Sequence, residues 1–278
     1  MHRPPSPART RRAAALATAA IVCLTAAGCS SGTDETPAPV ESAAGTREPK
    51  ATQEPKATQK PTQAPETPVS PLALNADGLL AGNAVVGEYP PGDPGVVSAV
   101  FVGLVDERGT VPFVFRNNTA EAISHVDASA TARDGAGTLV GTGTSQGTNP
   151  AQVPPGGLGM AYIYFGDPVP ADAEYEFTFD TSPADTSSYN TADLRVAEAV
   201  PTGEAIVGTA VNETGEQLQG PFSVAAYCFD EAGSLTAIEN SYANEDGPID
   251  DGATVSFTID LYGDPCATFL VGVRGYFD

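Results

Sequence analysis

Tyr162-Ile-Tyr-Phe-Gly-Asp-Pro168 returns almost intact as Ile259-Asp-Leu-Tyr-Gly-Asp-Pro265. Each copy follows a glycine-marked turn and precedes one last extended segment. Upstream the likeness continues. Val105, Asn117 and Thr119 align with Val200, Asn212 and Thr214, and Asp134, Ala136, Gly137 and Leu139 with Asp230, Ala232, Gly233 and Leu235. Gly156 aligns with Gly252, and the offset drifts only from 95 to 97 residues. Two one-residue insertions account for that drift, and the order of matches is kept throughout, which marks two copies of one domain.

Within each copy the apolar residues recur at every second position. Val126, Ala128, Ala130 and Ala132 share one face, with Ser129, Thr131 and Arg133 on the other. Leu158, Met160, Tyr162 and Tyr164 alternate, as do Tyr175, Phe177 and Phe179. In the second copy Phe222, Val224, Ala226 and Cys228 alternate, and so do Val255, Phe257, Ile259 and Leu261. That period gives strands with one buried and one wet face. Asp106-Glu-Arg-Gly109, Asp134-Gly-Ala-Gly137 and Val153-Pro-Pro-Gly156 supply turns between them. About seven short strands per copy, with no helical period, predict an all-β chain of two tandem antiparallel β-sandwich domains. The copies span residues 96–182 and 190–278, and Leu139–Ser145, polar and glycine-rich, reads as an edge strand. Residues 71–95 read as a lead-in segment packed loosely on the first copy.

The N-terminus has another character. Arg3, Arg9, Arg11 and Arg12 precede an apolar run, Ala13–Ala27, of 15 residues. This is shorter than the roughly 20 needed to cross a bilayer and ends in small residues, so residues 1–28 read as a cleaved export signal. Leu24-Thr-Ala-Ala-Gly-Cys-Ser-Ser31 resembles a bacterial lipobox, which implies cleavage before Cys29 and lipidation of its thiol, a diacylglycerol and palmitate-type anchor. Two acyl chains hold a protein on a membrane where one does so only marginally. Residues 29–70 are rich in Pro, Thr, Ala, Glu and Gln and repeat Glu48-Pro-Lys-Ala-Thr-Gln53 at once as Glu54–Gln59. Such a stretch buries too little apolar surface to offset its ordering entropy, so a disordered spacer is expected.

Two cysteines remain in the exported part, Cys228 and Cys266. Their aligned counterparts in the first copy are Ala132 and Val169, which are neighbours if the copies share a fold. A disulfide between them is therefore expected. Two cysteines with no nearby His make a poor metal site, and no metal or other cofactor is expected.

From Val96 onward 26 Asp and Glu stand against five Arg and no Lys. A surface this acidic repels phosphate backbones, which excludes nucleic acid as a partner; it reads first as solubility, with binding of cations or basic partners as the sharper reading. Catalytic signatures are lacking. Only His2 and His125 occur, and there is no Gly-x-Ser-x-Gly elbow and no His-Glu-x-x-His pair. Gly141-Thr-Gly-Thr-Ser-Gln-Gly147 has no following Lys, so a phosphate loop is not supported. The Asp of each Gly-Asp-Pro turn is expected to cap its turn by accepting a backbone N–H. Asn244–Gly252 is an acidic loop whose spacing departs from the twelve-residue calcium loop, which leaves a weak calcium site as the alternative. The chain has no Trp, which gives carbohydrate binding little support, although its nine Tyr leave that class open.

Each copy resembles the FxLYD domain of bacterial surface lipoproteins. Val211-Asn-Glu-Thr214, Tyr227-Cys-Phe-Asp230 with Gly233, and Asp251-Gly-Ala-Thr-Val-Ser-Phe257 carry the pattern in copy two. Arg116-Asn-Asn-Thr119, Arg133-Asp134 with Gly135, and Pro154-Pro-Gly156 carry it in copy one, which lacks the aromatic before Asp134. The resemblance implies immunoglobulin-like sandwiches in an export setting and carries no catalytic residues. The expected protein is thus not an enzyme. It is a lipoprotein on the outer face of the cytoplasmic membrane, exposed to the cell wall or exterior. It binds the membrane through Cys29 and serves as a binding or scaffold module for an unidentified envelope protein or basic ligand. Calcium-responsive or adhesion roles are the alternative, and an envelope hydrolase is a more distant one.

Overall fold

The computed structural model describes residues 69–263 and 266–278. The expected export signal, Cys29, nearly all of the expected spacer, Asp264 and Pro265 lie outside the described residues. Among the described residues, thirteen strands and no helix form two antiparallel sheets. A two-residue strand, β1 (Ala81–Gly82), comes first. The first copy holds β2 (Val97–Val102), β3 (Thr110–Asn117), β4 (Ile123–Arg133), β5 (Leu139–Ser145), β6 (Leu158–Tyr164) and β7 (Glu174–Pro183). The second holds β8 (Thr191–Pro201), β9 (Ala205–Val211), β10 (Leu218–Phe229), β11 (Leu235–Tyr242), β12 (Thr254–Asp260) and β13 (Thr268–Phe277). Each copy is one curled sheet of six strands, ordered β2-β3-β6-β5-β4-β7 and β11-β10-β13-β8-β9-β12. Six strands per copy replace the expected seven.

Size complementarity builds the first core. The small face of β4 meets the large face of β7: Ala128 pairs with Phe179, Ala130 with Phe177 and Ala132 with Tyr175. Phe113 and Phe115 of β3 close over them from the opposite layer. In copy two Val224, Ala226 and Cys228 pair with Val273, Val271 and Phe269. Tyr175, Phe177 and Phe179 therefore stand where Phe269, Val271 and Val273 stand, which sets the register of the last strand.

The turn chemistry is duplicated atom for atom. Asn117 is fully buried; its Oδ1 accepts from the Thr119 N–H and hydroxyl, and its Nδ2 donates to the Glu121 and Val153 carbonyls. Asn212 does the same with Thr214, Glu216 and Ile249. Asp134 and Asp230 each accept two backbone N–H bonds across their hairpins. Gly156 and Gly252 both carry positive φ and donate to the carbonyls of Asn117 and Asn212.

The lead-in differs from expectation. β1 pairs with β13 of the second copy, at Ala81 with Val271 and Gly82 with Leu270. The place is open because β8 leaves β13 after Leu194 and pairs with β9 from Arg195 onward. Arg116, buried on β3, donates to the carbonyls of Leu72, Tyr89, Pro90 and Gly156. Arg195 donates to the Gly78 carbonyl. Backbone carbonyls with a guanidinium to serve are held firmly, so this segment is clamped to both copies. β5 also departs from its expected edge place: Thr144 and Ser145 pair with Tyr164 and Ile163 of β6, while its counterpart β11 does lie at an edge.

Candidate binding cleft at the seam

A third apolar cluster joins the two copies. Val114, Leu158 and Met160 from the outer face of the first meet Ala225, Tyr227, Phe229, Leu235, Ile238 and Leu270 of the second, and Leu80 of the lead-in closes the cluster. This explains why β3 and β10 carry apolar residues on both faces, a pattern that belongs to strands covered on both sides. It also inverts the expected facing of β6. The large Leu158 and Met160 turn to the neighbouring copy, and Ala161 and Ile163 enter the local core.

Polar groups rim this cluster. The segment between β5 and β6 bridges to Ile123 and Met160 of its own copy and also lies against β8 and β13. Asp193 of β8 receives it, its two carboxylate oxygens accepting from the Ala151 and Gln152 N–H groups at 2.6 and 3.0 Å. Burial pushes the Asp193 carboxyl up to about 7, against the pull of those two donors. Asn149 donates through Nδ2 to the Tyr227 hydroxyl at 2.9 Å, and that hydroxyl donates to the Met160 carbonyl. Burial raises the Tyr227 phenol far above its ordinary value. Gly272 leaves room for Asn149, since a Cβ there would stand 2.7 Å from Oδ1. Gly147, at positive φ, makes room for Arg274 in the same way, because a Cβ would collide with its guanidinium.

Beyond these contacts the seam opens into three adjoining hollows that share Gln146. The middle one, about 280 Å³, lies beneath Tyr162, Tyr242 and Arg274. Its neighbour, about 540 Å³, is walled by Arg108, Tyr164 and Tyr262. The third reaches His125 and Tyr276. Six of the nine tyrosines thus line one groove. Both copies of the opening motif contribute, Tyr162 and Tyr164 from one and Tyr262 from the other. Arg108 pairs with Asp106 and with the buried Glu239 across the seam. Arg274 donates to the Gln146 carbonyl and makes no ion pair among the described residues. Its cross-strand neighbour Asp193 is turned to the loop amides instead.

The other anticipated residues lie apart. Cys228 and Cys266 are buried in the second core and joined by a disulfide, with Cα atoms 5.0 Å apart. Their counterparts Ala132 and Val169 are both buried in the first core. Asp167 is exposed, and its carboxylate takes no hydrogen bond among the described residues. The contact at that turn is backbone, the Asp167 carbonyl lying against Gly109. The acids of the Asn244–Gly252 loop serve separate partners: Glu245 the Ser256 N–H and hydroxyl, Asp250 the Gln217 amide, Asp251 the Gly215 N–H. No group of three His, Cys, Asp or Glu suited to a metal ion occurs among the described residues, and no helix among them is long and apolar enough to cross a membrane.

Sequence reasoning missed the groove because its residues fall on the wet faces of strands. The signals were there in the tyrosines of the repeated motif and in an arginine, Arg274, placed among so few. No protein-family model matches the chain, and no curated protein matches it.

Proposed function

We propose that the chain is a non-enzymatic binding module, held at the outer face of the membrane by lipidated Cys29 and lifted from it by the spacer. The ligand is taken in the seam. The observation that carries this reading is the convergence on one groove of six tyrosines and Arg274, which makes no ion pair among the described residues. Ligand sites favour the junction of two domains, where concave surface and converging polar groups occur together. Hydrogen bonding and ring contact are the chemistry this lining offers.

Two measurements test the reading. Intact mass of the mature chain should show a diacylated N-terminal Cys29, and Cys29→Ser should move the protein from the membrane to the soluble fraction. Retention of envelope material on immobilised wild-type protein should be lost with Tyr242→Ala. An unmodified Cys29 removes the tether, and retention indifferent to Tyr242 removes the seam.

A further inference from the structure

We infer that the seam binds a neutral saccharide chain, seated on the tyrosine rings and held by the amides and guanidinium beneath them. The inference rests on the seam being the ligand site and goes on to name the ligand's chemistry.

Three observations set that chemistry. The first is the balance of donors and acceptors. Arg274 offers N–H groups that no carboxylate occupies among the described residues. Asn240, exposed on the floor, offers an amide oxygen that takes no hydrogen bond among the described residues. A hydroxyl serves both, accepting from a guanidinium and donating to an amide oxygen. A phosphate or carboxylate serves the arginine alone and has no proton to donate to that amide oxygen. The second is charge. Twenty-six acids against five arginines from Val96 onward oppose the approach of a polyanion.

The third is the lining. Tyr164, Tyr242 and Tyr262 stand open on the rim, and a tyrosine ring pairs an apolar face with a polar tip. A sugar ring presents the matching pair, C–H faces and hydroxyl edges. Ser223, Ser241 and Asn240 extend the polar floor. Peptides are less suited. They anchor bulky apolar side chains in desolvated pockets or add a strand to an open edge. This floor is the face of β10 and β13, each paired on both sides, with β11 at the edge beside them, and the polar Ser223, Asn240 and Ser241 give a peptide's apolar side chains no desolvated pocket. The three hollows, about 280, 540 and 320 Å³, fall near or within the roughly 300–1,000 Å³ of small-ligand sites.

The test is saturation-transfer NMR on the purified full chain in a detergent without a sugar headgroup. The probes are neutral tetrasaccharides of glucose, mannose, galactose and N-acetylglucosamine. Inorganic phosphate, a galacturonic tetrasaccharide and a mixed tetrapeptide pool form the other arms. At least one neutral tetrasaccharide should bind. Tyr242→Ala and Arg274→Lys should each weaken it about tenfold, the loss of one good contact, at unchanged melting temperature. Val85→Ala, at an exposed position away from the groove, should leave it intact. No binding by any neutral tetrasaccharide overturns the inference. Binding of phosphate, galacturonate or peptide alone, sensitive to Tyr242→Ala, overturns the saccharide class and leaves the seam as a ligand site. Binding of any probe that ignores both seam variants overturns the seam itself.

Discussion

The hydroxyl of Tyr227, on β10 of the second sandwich, donates to the carbonyl of Met160, on β6 of the first, at 3.1 Å. The same oxygen accepts from Asn149 Nδ2, so one side chain joins both copies in a site nearly free of water. Removing it strands a buried donor, a loss of the kind that costs about 1–3 kcal/mol. Tyr227→Phe should therefore lower the unfolding free energy by about 2 kcal/mol, read as a shift of the urea midpoint at unchanged slope. Tyr227→Ala adds a cavity and should cost about 3–5 kcal/mol. If the copies were merely strung together, the Phe variant would unfold as the wild type does.

Arg116 makes a similar argument for the lead-in. Its guanidinium, 2% exposed, serves four carbonyls and faces no carboxylate partner among the described residues. Burial lowers its pKa from the ordinary arginine value. Met in its place fills much of the same space and leaves the carbonyls of Leu72 and Gly156 without their charged donor. Arg116→Met should destabilise by about 3 kcal/mol, and proteolysis should then begin within residues 71–95. Cleavage elsewhere first would mean that the segment is held by other contacts.

The strands and the duplication were legible because period-2 spacing and the Asx turns are local properties. Asn117, Asn212, Asp134 and Asp230 carry their turn chemistry within a few residues of themselves. The Cys228–Cys266 pairing was legible because the repeat supplied Ala132 and Val169 as neighbours. The seam was not, since no local pattern says what covers a strand's outer face. Ala225, Tyr227 and Phe229 look like surplus apolar residues until Val114 and Met160 arrive opposite them. The role of β1 was equally hidden, because only the departure of β8 from β13 opens a place for it.

The duplicated asparagines allow a paired comparison. Asn117 and Asn212 are both fully buried and make the same set of bonds to their own turns. Replacement by Ala leaves the carbonyl and N–H partners unserved, so each variant should lose about 2–3 kcal/mol. The two losses should agree within about 0.5 kcal/mol and add in the double variant, as separated sites do. A harmless Asn117→Ala beside a severe Asn212→Ala would show that the copies do not share this turn energetically.

Asp193 ties stability to pH. Its folded value, raised to about 7 by burial, lies above the model-peptide value near 4. The folded state therefore binds the extra proton. This contribution is complete below about pH 4 and is lost as pH rises through about 7. Asp185 acts in the opposite sense. Its carboxylate, held at about 2 by bonds from Ser187 and Asn190, stabilises above about pH 4, and that stabilisation is lost as pH falls through about 2. The two windows do not overlap. Because Asp193 is half-buried as a residue, its contribution should be on the order of 2 kcal/mol rather than the full conversion of its shift. Urea midpoints at pH 4, 5.5, 7 and 8 should fall across the series in the wild type. Asp193→Asn should lower the midpoint at pH 4, since an amide offers one acceptor oxygen where two N–H groups converge, and should flatten the decline toward pH 8. A wild-type midpoint that rises between pH 4 and 7 would mean that the carboxylate is stabilised, not strained, by its place in the seam.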